Sequence, residues 1–202
     1  MCRLFLIRHA WHDAIGKYLS GAAPGLHLND VGRRQLPILV AALHAVPFDA
    51  VVSSPLERTR ETAEPIARDH DLDVVFDDRF IEYGVGEWSG RTFASLNPTP
   101  DWRRFNDLRS VSRAPGGELM LDVQQRAVGA MLDWRDAHPS GNVAIVSHGD
   151  VIRAMLLYVL GMAVDMLHRI EVSPALISVV ELDADSMRVV QMNAAGVPPS
   201  SS

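Results

Sequence analysis

The chain has 202 residues, 48% of them hydrophobic and 22% charged, with a formal net charge of −6. A chain of this size hides roughly 70% of its unfolded surface, and this composition excludes general disorder. The acidic balance argues against nucleic acid or an anionic membrane as partner, so an anionic substrate needs a local island of positive charge.

Cys2 is the only cysteine, which excludes a disulfide framework and a cysteine-based zinc site. Leu4 to Ile7 is too short for a secretory signal. The longest apolar run, Met155 to Val164, falls short of the roughly 20 residues of a membrane span. A reduced, soluble, cytoplasmic protein is expected. Residues 1–193 are expected to form one domain, followed by a frayed tail over 194–202 that carries two prolines and three serines.

In chain order, Arg3 to Ile7 reads as a short buried strand. Residues 10–28 lack periodicity and carry Gly16, Gly21, Pro24 and Gly25, which marks a long loop of the kind that often serves function. Asn29 can cap a helix to about Ala45, with Leu36, Leu39, Val40 and Leu43 at helical spacing and Pro37 inside it. Ala50 to Ser53 is a second strand, Pro55 opens a helix to about Asp69, and Asp73 to Phe76 is a third strand. Residues 80–118 are irregular with some helix and predict an insertion over the sheet. Val123, Ala127, Ala130, Met131 and Trp134 mark a helix face, Val143 to Val146 a strand, and Asp150 a cap for a helix to about Leu160. Ile177 to Leu182 and Met187 to Met192 read as a hairpin. This order predicts an α/β fold: a three-layer α/β/α sandwich on a mostly parallel sheet.

Two strands end alike, one running into Arg8-His9 and the other into Ser147-His148-Gly149. Open α/β sheets bind ligands outside the carboxyl ends of their strands, so both histidines are aimed at the expected crevice. Arg58 stands near the same edge, in the first turn after the second strand. A phosphate monoester needs fixed donors, and Arg8 and Arg58 supply planar ones. The helix after His148 adds its amino end. A neutral imidazole is a nucleophile for phosphorus, and two nearby arginines keep His9 unprotonated. The departing alkoxide needs a general acid. Glu82, after the apolar pair Phe80-Ile81, is the candidate, with Glu87 its rival.

Each residue also has a plainer reading. A histidine after a strand caps or packs, and an arginine at a helix start is a solvated charge. Metal binding competes for the histidines, but His9-x-x-His12 is not a helical ligand pair and no zinc-like cluster accompanies it.

These residues resemble the histidine phosphatase superfamily, the phosphoglycerate mutase-like family. Arg8-His9-Ala10 is similar to its Arg-His-Gly motif. Leu28 to Gln35 is similar to Leu-Thr-x-x-Gly-x-x-Gln, and Ser54 through Arg58 to Thr62-Ala63 to Ser-x-Leu-x-Arg-x-x-x-Thr-Ala. Glu82 through Gly90, Pro115-Gly116-Gly117-Glu118 and Ser147-His148-Gly149 follow in family order. The resemblance implies phosphorylation of His9, a phosphoryl group held by Arg8, Arg58 and His148, and Glu82 as proton donor and later as the base that activates water. It implies no metal or organic cofactor and a small phosphate ester as substrate. Three positions depart from the pattern: Ala10 for glycine, His12 for threonine and Ile15 for asparagine. His12 is either an extra donor or a solvated loop residue.

The expected function is a metal-independent phosphomonoesterase. The alternatives are a phosphoglycerate mutase and a non-catalytic phospho-ligand binder. Substrate choice is expected to rest on the insertion, where Arg91, Arg103, Arg104, Arg109 and Arg113 lie, most of them as a solvated face. A homodimer is compatible with the sequence.

Overall fold

The computed structural model describes residues 1–198, so the last four residues of the expected tail lie outside the described residues. Six strands form one sheet: β1 (Cys2–Arg8), β2 (Ala50–Ser53), β3 (Val74–Phe76), β4 (Asn142–Ser147), β5 (Ile177–Leu182) and β6 (Met187–Ala194). Their spatial order is β3-β2-β4-β1-β5-β6. The first four in that order run parallel, and β5 and β6 are antiparallel.

The apolar runs of β1 and β4 follow from burial on both faces. Leu4, Leu6, Val143 and Ile145 pack into a core under α5 (Met120–Ala137) and α6 (Gly149–Val159). Phe5, Ile7, Ala144 and Val146 pack into the opposite core, under α1 (Asp30–Leu43) and α2 (Glu57–Asp69). The result is the three-layer sandwich. Within the second core, Val197 packs just beyond β6, which extends to Ala194.

Asn29 caps α1 by accepting from the Gly32 N–H at 3.0 Å, and Pro37 sits inside the helix. The end of β4 differs from expectation: Asp150 does not cap α6. His148 holds the cap position in extended backbone without a side-chain bond to the helix end, and Asp150 lies in the first turn. Its carboxylate is drawn elsewhere, into ion pairs with Arg109 at 3.4 Å and Arg153 at 2.9 Å.

The insertion between β3 and α5 carries two short helices, α3 (Phe93–Leu96) and α4 (Pro100–Asp107). Trp88, Trp102 and Phe105 hold it together, with ring centroids 5.3–5.7 Å apart. A bridge between Tyr18 and Thr92 ties the long loop after β1 to it. Loop and insertion thereby wall the carboxyl edge of the sheet. Arg91, Arg103, Arg104 and Arg113 are exposed, whereas Arg109 is buried.

Candidate active site

The site begins with strand register. Arg8 of β1 pairs with Ser147 of β4, so His9 and His148 leave neighbouring strands side by side, and the His9 N–H donates to the Ser147 carbonyl at 2.9 Å. Strand β4 lies between β1 and β2, which makes this the topological switch point of the sheet. A cleft of about 240 Å³ opens there, with Arg8, His9, His12, Arg58 and Glu82 on its inner wall.

His9 is 3% exposed, and its ring lies 5.3 Å from that of His148 and 5.0 Å from that of His12. Its Nδ1 is 2.8 Å from the Ala10 carbonyl, which can only accept. The proton therefore sits on Nδ1 and leaves a lone pair on Nε2. Burial first, then Arg8 and Arg58, holds His9 well below the ordinary imidazole range. The ring is neutral at pH 7, with a lone pair that can act as a nucleophile.

The loop carrying His9 is fixed by the residues that made the sequence motifs. The Ala10 N–H donates to Thr62 Oγ1 at 3.0 Å. The Trp11 N–H donates to Gln35 Oε1 at 2.9 Å, and the Trp11 carbonyl accepts from the Asn29 N–H at 3.2 Å. A Cβ at Gly32 would stand 2.1 Å from the Trp11 carbonyl oxygen, so only glycine permits this approach.

The donors gather round His9. The Arg58 guanidinium is 1% exposed, donating to the Gly21 and Ala23 carbonyls at 2.8 and 3.1 Å. Arg8 donates to the Val172 carbonyl at 2.6 Å, and its guanidinium carbon lies 3.3 Å from where a Cβ of Gly149 would stand. It thus rests against the amino end of α6. His148 is fully buried, with Nε2 2.8 Å from Ser54 Oγ. When that hydroxyl donates, the His148 proton is on Nδ1. Arg8 Nε, Arg58 Nε and His148 Nδ1 are buried without a hydrogen-bond partner among the described residues. Orphaned donors of this kind are rare in protein interiors. They suit a tetrahedral oxyanion, whose oxygens accept from several directions.

Glu82 lines the same cleft, half-buried, and accepts from the Tyr83 N–H at 3.1 Å. Burial and the Asp150 carboxylate push it up to about 7, against the pull of Arg58. Near neutrality it can both give and take a proton. The rival Glu87 is exposed.

Sequence reasoning left two features unsettled or unseen, the first being His12, open between an extra donor and a solvated loop residue. His12 is not a solvated loop residue but 2% exposed. Its Nδ1 accepts from the Ala14 N–H at 3.3 Å, which puts the proton on Nε2 and makes the ring a neutral donor. Burial, with Arg58 and Arg8, lowers it to about 4. The second feature is the polar outer wall. Asp150 joins Arg109 and Arg153, and Arg109 also reaches Asn106 at 2.9 Å and lies against the Phe105 ring at 4.0 Å. Only the excess of arginines in the insertion hinted at it. Among the described residues, no three His, Cys, Asp or Glu side chains are grouped to hold a metal ion, and no helix is long and apolar enough to cross a membrane.

Comparison with known proteins bears on this geometry. The sequence profile of the histidine phosphatase superfamily (branch 1) matches residues 4–195. Phosphoserine phosphatase 1 of Hydrogenobacter thermophilus is 30% identical over 198 residues, which cover 96% of this chain and 92% of that protein. A bifunctional protein of Mycobacterium tuberculosis is 34% identical over 195 residues, which cover 94% of this chain and 53% of that longer protein. The native structure of a mycobacterial glucosyl-3-phosphoglycerate phosphatase superposes with a TM-score of 0.85 at 25% identity, covering 95% of this chain and 98% of the other. The chain belongs to the histidine phosphatase superfamily.

Proposed function

We propose that the protein is a phosphomonoesterase that works through a phosphohistidine on His9. One observation carries the reading: a buried, neutral His9 with its Nδ1 proton fixed on the Ala10 carbonyl, and around it the unpartnered Nε donors of Arg8 and Arg58 and the unpartnered Nδ1 of His148. In the first step His9 Nε2 attacks phosphorus and the ester P–O bond breaks. Glu82 gives its proton to the leaving oxygen. Arg8, Arg58 and His148 hold the non-bridging oxygens, with His12 as a further neutral donor. The Nδ1 proton stays on the ring, so the phosphorylated imidazole is cationic and the P–N bond is labile. In the second step the Glu82 carboxylate takes a proton from water, the hydroxide attacks phosphorus, and the P–N bond breaks. Inorganic phosphate leaves and both residues return to their starting states.

The substrate in this reading is a small metabolite. A cleft of about 240 Å³ lies below the roughly 300–1,000 Å³ usual for drug-sized ligands. Tyr18, Phe93 and Trp102 line its outer part together with Arg109, Asp150 and Arg153. The names of two of the three relatives, a phosphoserine phosphatase and a glucosyl-3-phosphoglycerate phosphatase, support the same class.

The test is brief exposure of the protein to an aryl phosphate and acid-free quenching in alkali. Acid-labile, base-stable phosphate on His9 is expected, with turnover lost in His9→Ala. Turnover with no trapped label and an active His9→Ala variant would sink the mechanism. Isomerisation of a phosphorylated hydroxy acid without phosphate release would favour the mutase reading.

A further inference from the structure

The Pro115-Gly116-Gly117-Glu118 element has no part in the chemistry above, and neither Glu118 nor Arg126 lines the cleft. Both nevertheless close on the backbone around Glu82. The chain over 81–85 has no regular secondary structure of its own, since the short helical turn before it ends at Phe80. The carbonyls that lead into it are taken one after another. Arg126 Nη1, from α5, donates to the Arg79 and Ile81 carbonyls at 2.7 and 2.8 Å. Ser147 Oγ, at the end of β4, donates to the Phe80 carbonyl between them at 2.8 Å. On the other side of Glu82, Gly84 is held at both backbone groups by one residue. Its N–H donates to Glu118 Oε2 at 2.6 Å and its carbonyl accepts from the Glu118 N–H at 2.8 Å. Arg126 and Glu118 are then joined to each other, Nε to Oε1 and Nη2 to Oε2, each at 3.3 Å.

We infer that the Arg126–Glu118 pair is a positioning device for Glu82, gripping the backbone on both sides of the proton donor and fixing how far its carboxyl reaches toward the leaving oxygen. The inference rests on the phosphatase reading. The physical reason for the device is that a carboxyl on an irregular segment has no helix or strand to hold it. Proton transfer needs hydrogen-bond distance, and a shift of about 1 Å can cost about a hundredfold in rate. The charged pair, with Arg126 on α5, supplies six hydrogen bonds to that segment and to each other without lining the cleft, so it leaves the phosphate cup unchanged.

A structural prop and a positioning device differ in which substrates they affect. An aryl phosphate departs as a stable phenolate and needs no proton, whereas an alkyl phosphate does. We expect Arg126→Met to lower kcat/KM about 30-fold or more for an alkyl phosphate and less than about threefold for an aryl phosphate. Arg126→Lys, which keeps the charge and one donor, should recover most of that loss. Glu118→Gln keeps an acceptor for the Gly84 N–H and loses the ion pair, so it should show the same selectivity at about three- to tenfold, and it serves where Arg126→Met fails to fold. Equal losses on both substrates, or no loss on the alkyl ester, would overturn the positioning role. A wild-type protein that releases phosphate from neither ester would overturn the phosphatase reading and the clamp with it. A His9-dependent wild type with unselective variants would overturn the clamp alone.

Discussion

Replacing Glu82 by glutamine should make the protein more stable while making it a poor enzyme. The ordinary glutamate value is 4.5, and in the folded chain burial and Asp150 raise Glu82 to about 7. The unfolded chain therefore loses this proton before the folded one does. Below pH 4.5 both states are protonated and the residue contributes nothing to pH dependence. Between 4.5 and 7 the unfolded state ionises alone, and stability falls as pH rises. Above 7 both are ionised and the penalty is constant. Linkage gives a penalty of about 1 kcal/mol at pH 5 and about 3 kcal/mol at pH 8, as an upper bound because the cleft is open to solvent. Glutamine keeps the shape and the acceptor for the Tyr83 N–H but has no charge to desolvate. The urea midpoint of Glu82→Gln should thus exceed that of the wild type, by clearly more at pH 8 than at pH 5, with an unchanged slope. Its activity on an alkyl phosphate should fall by about 10²- to 10⁴-fold. A stability difference that is the same at both pH values, or that favours the wild type at pH 8, would refute the claim that Glu82 is held protonated by its surroundings.

Activity against pH should follow the same groups. His9 and His148 are held well below the imidazole range by burial and by the arginines, so kcat/KM for an alkyl phosphate should show an alkaline limb near 7 from Glu82 and no histidine limb between 6 and 7; profiles of wild type and Glu82→Gln decide this. His12→Ala removes one neutral donor to the phosphoryl group and should cost about 10- to 100-fold in kcat/KM, with His12→Gln recovering part; an unchanged His12→Ala would show that the ring only fills space. At Gly86 the backbone has φ +50° and a Cβ would lie 2.1 Å from the Pro115 carbonyl oxygen, whereas Gly90 has φ +77° with nothing within 4 Å. Gly86→Ala should cost about 3 kcal/mol or more and Gly90→Ala only about 1–2 kcal/mol, read from urea midpoints; equal costs would refute the steric argument.

What could be read in the sequence was whatever depends on a residue's own strand or helix. The apolar runs ending in Arg8-His9 and Ser147-His148 announce strands buried on both faces, and register alone then places the two histidines together. Glu82 against Glu87 was harder, because only four residues separate a carboxyl in the cleft from one in solvent. That choice is made by groups far along the chain, Ser147 and Arg126, which grip the carbonyls before Glu82. Asp150 shows the same limit more sharply. By local rules it is a helix cap, but Arg109 arrives from 41 residues away and Arg153 from the next turn, and together they take its carboxylate into the cleft wall. His12 likewise owes its burial to the long loop folding back under Arg58 rather than to any pattern in that loop. Arg8, His9 and His148, which the proposed reaction uses at the phosphoryl group, thus sit where single strands put them. The residues that meet the rest of the substrate sit where loop, insertion and α6 converge. This is why the proposed reaction can be argued from the sequence at His9, whereas the wall that would meet the leaving group cannot be argued from it at Arg109.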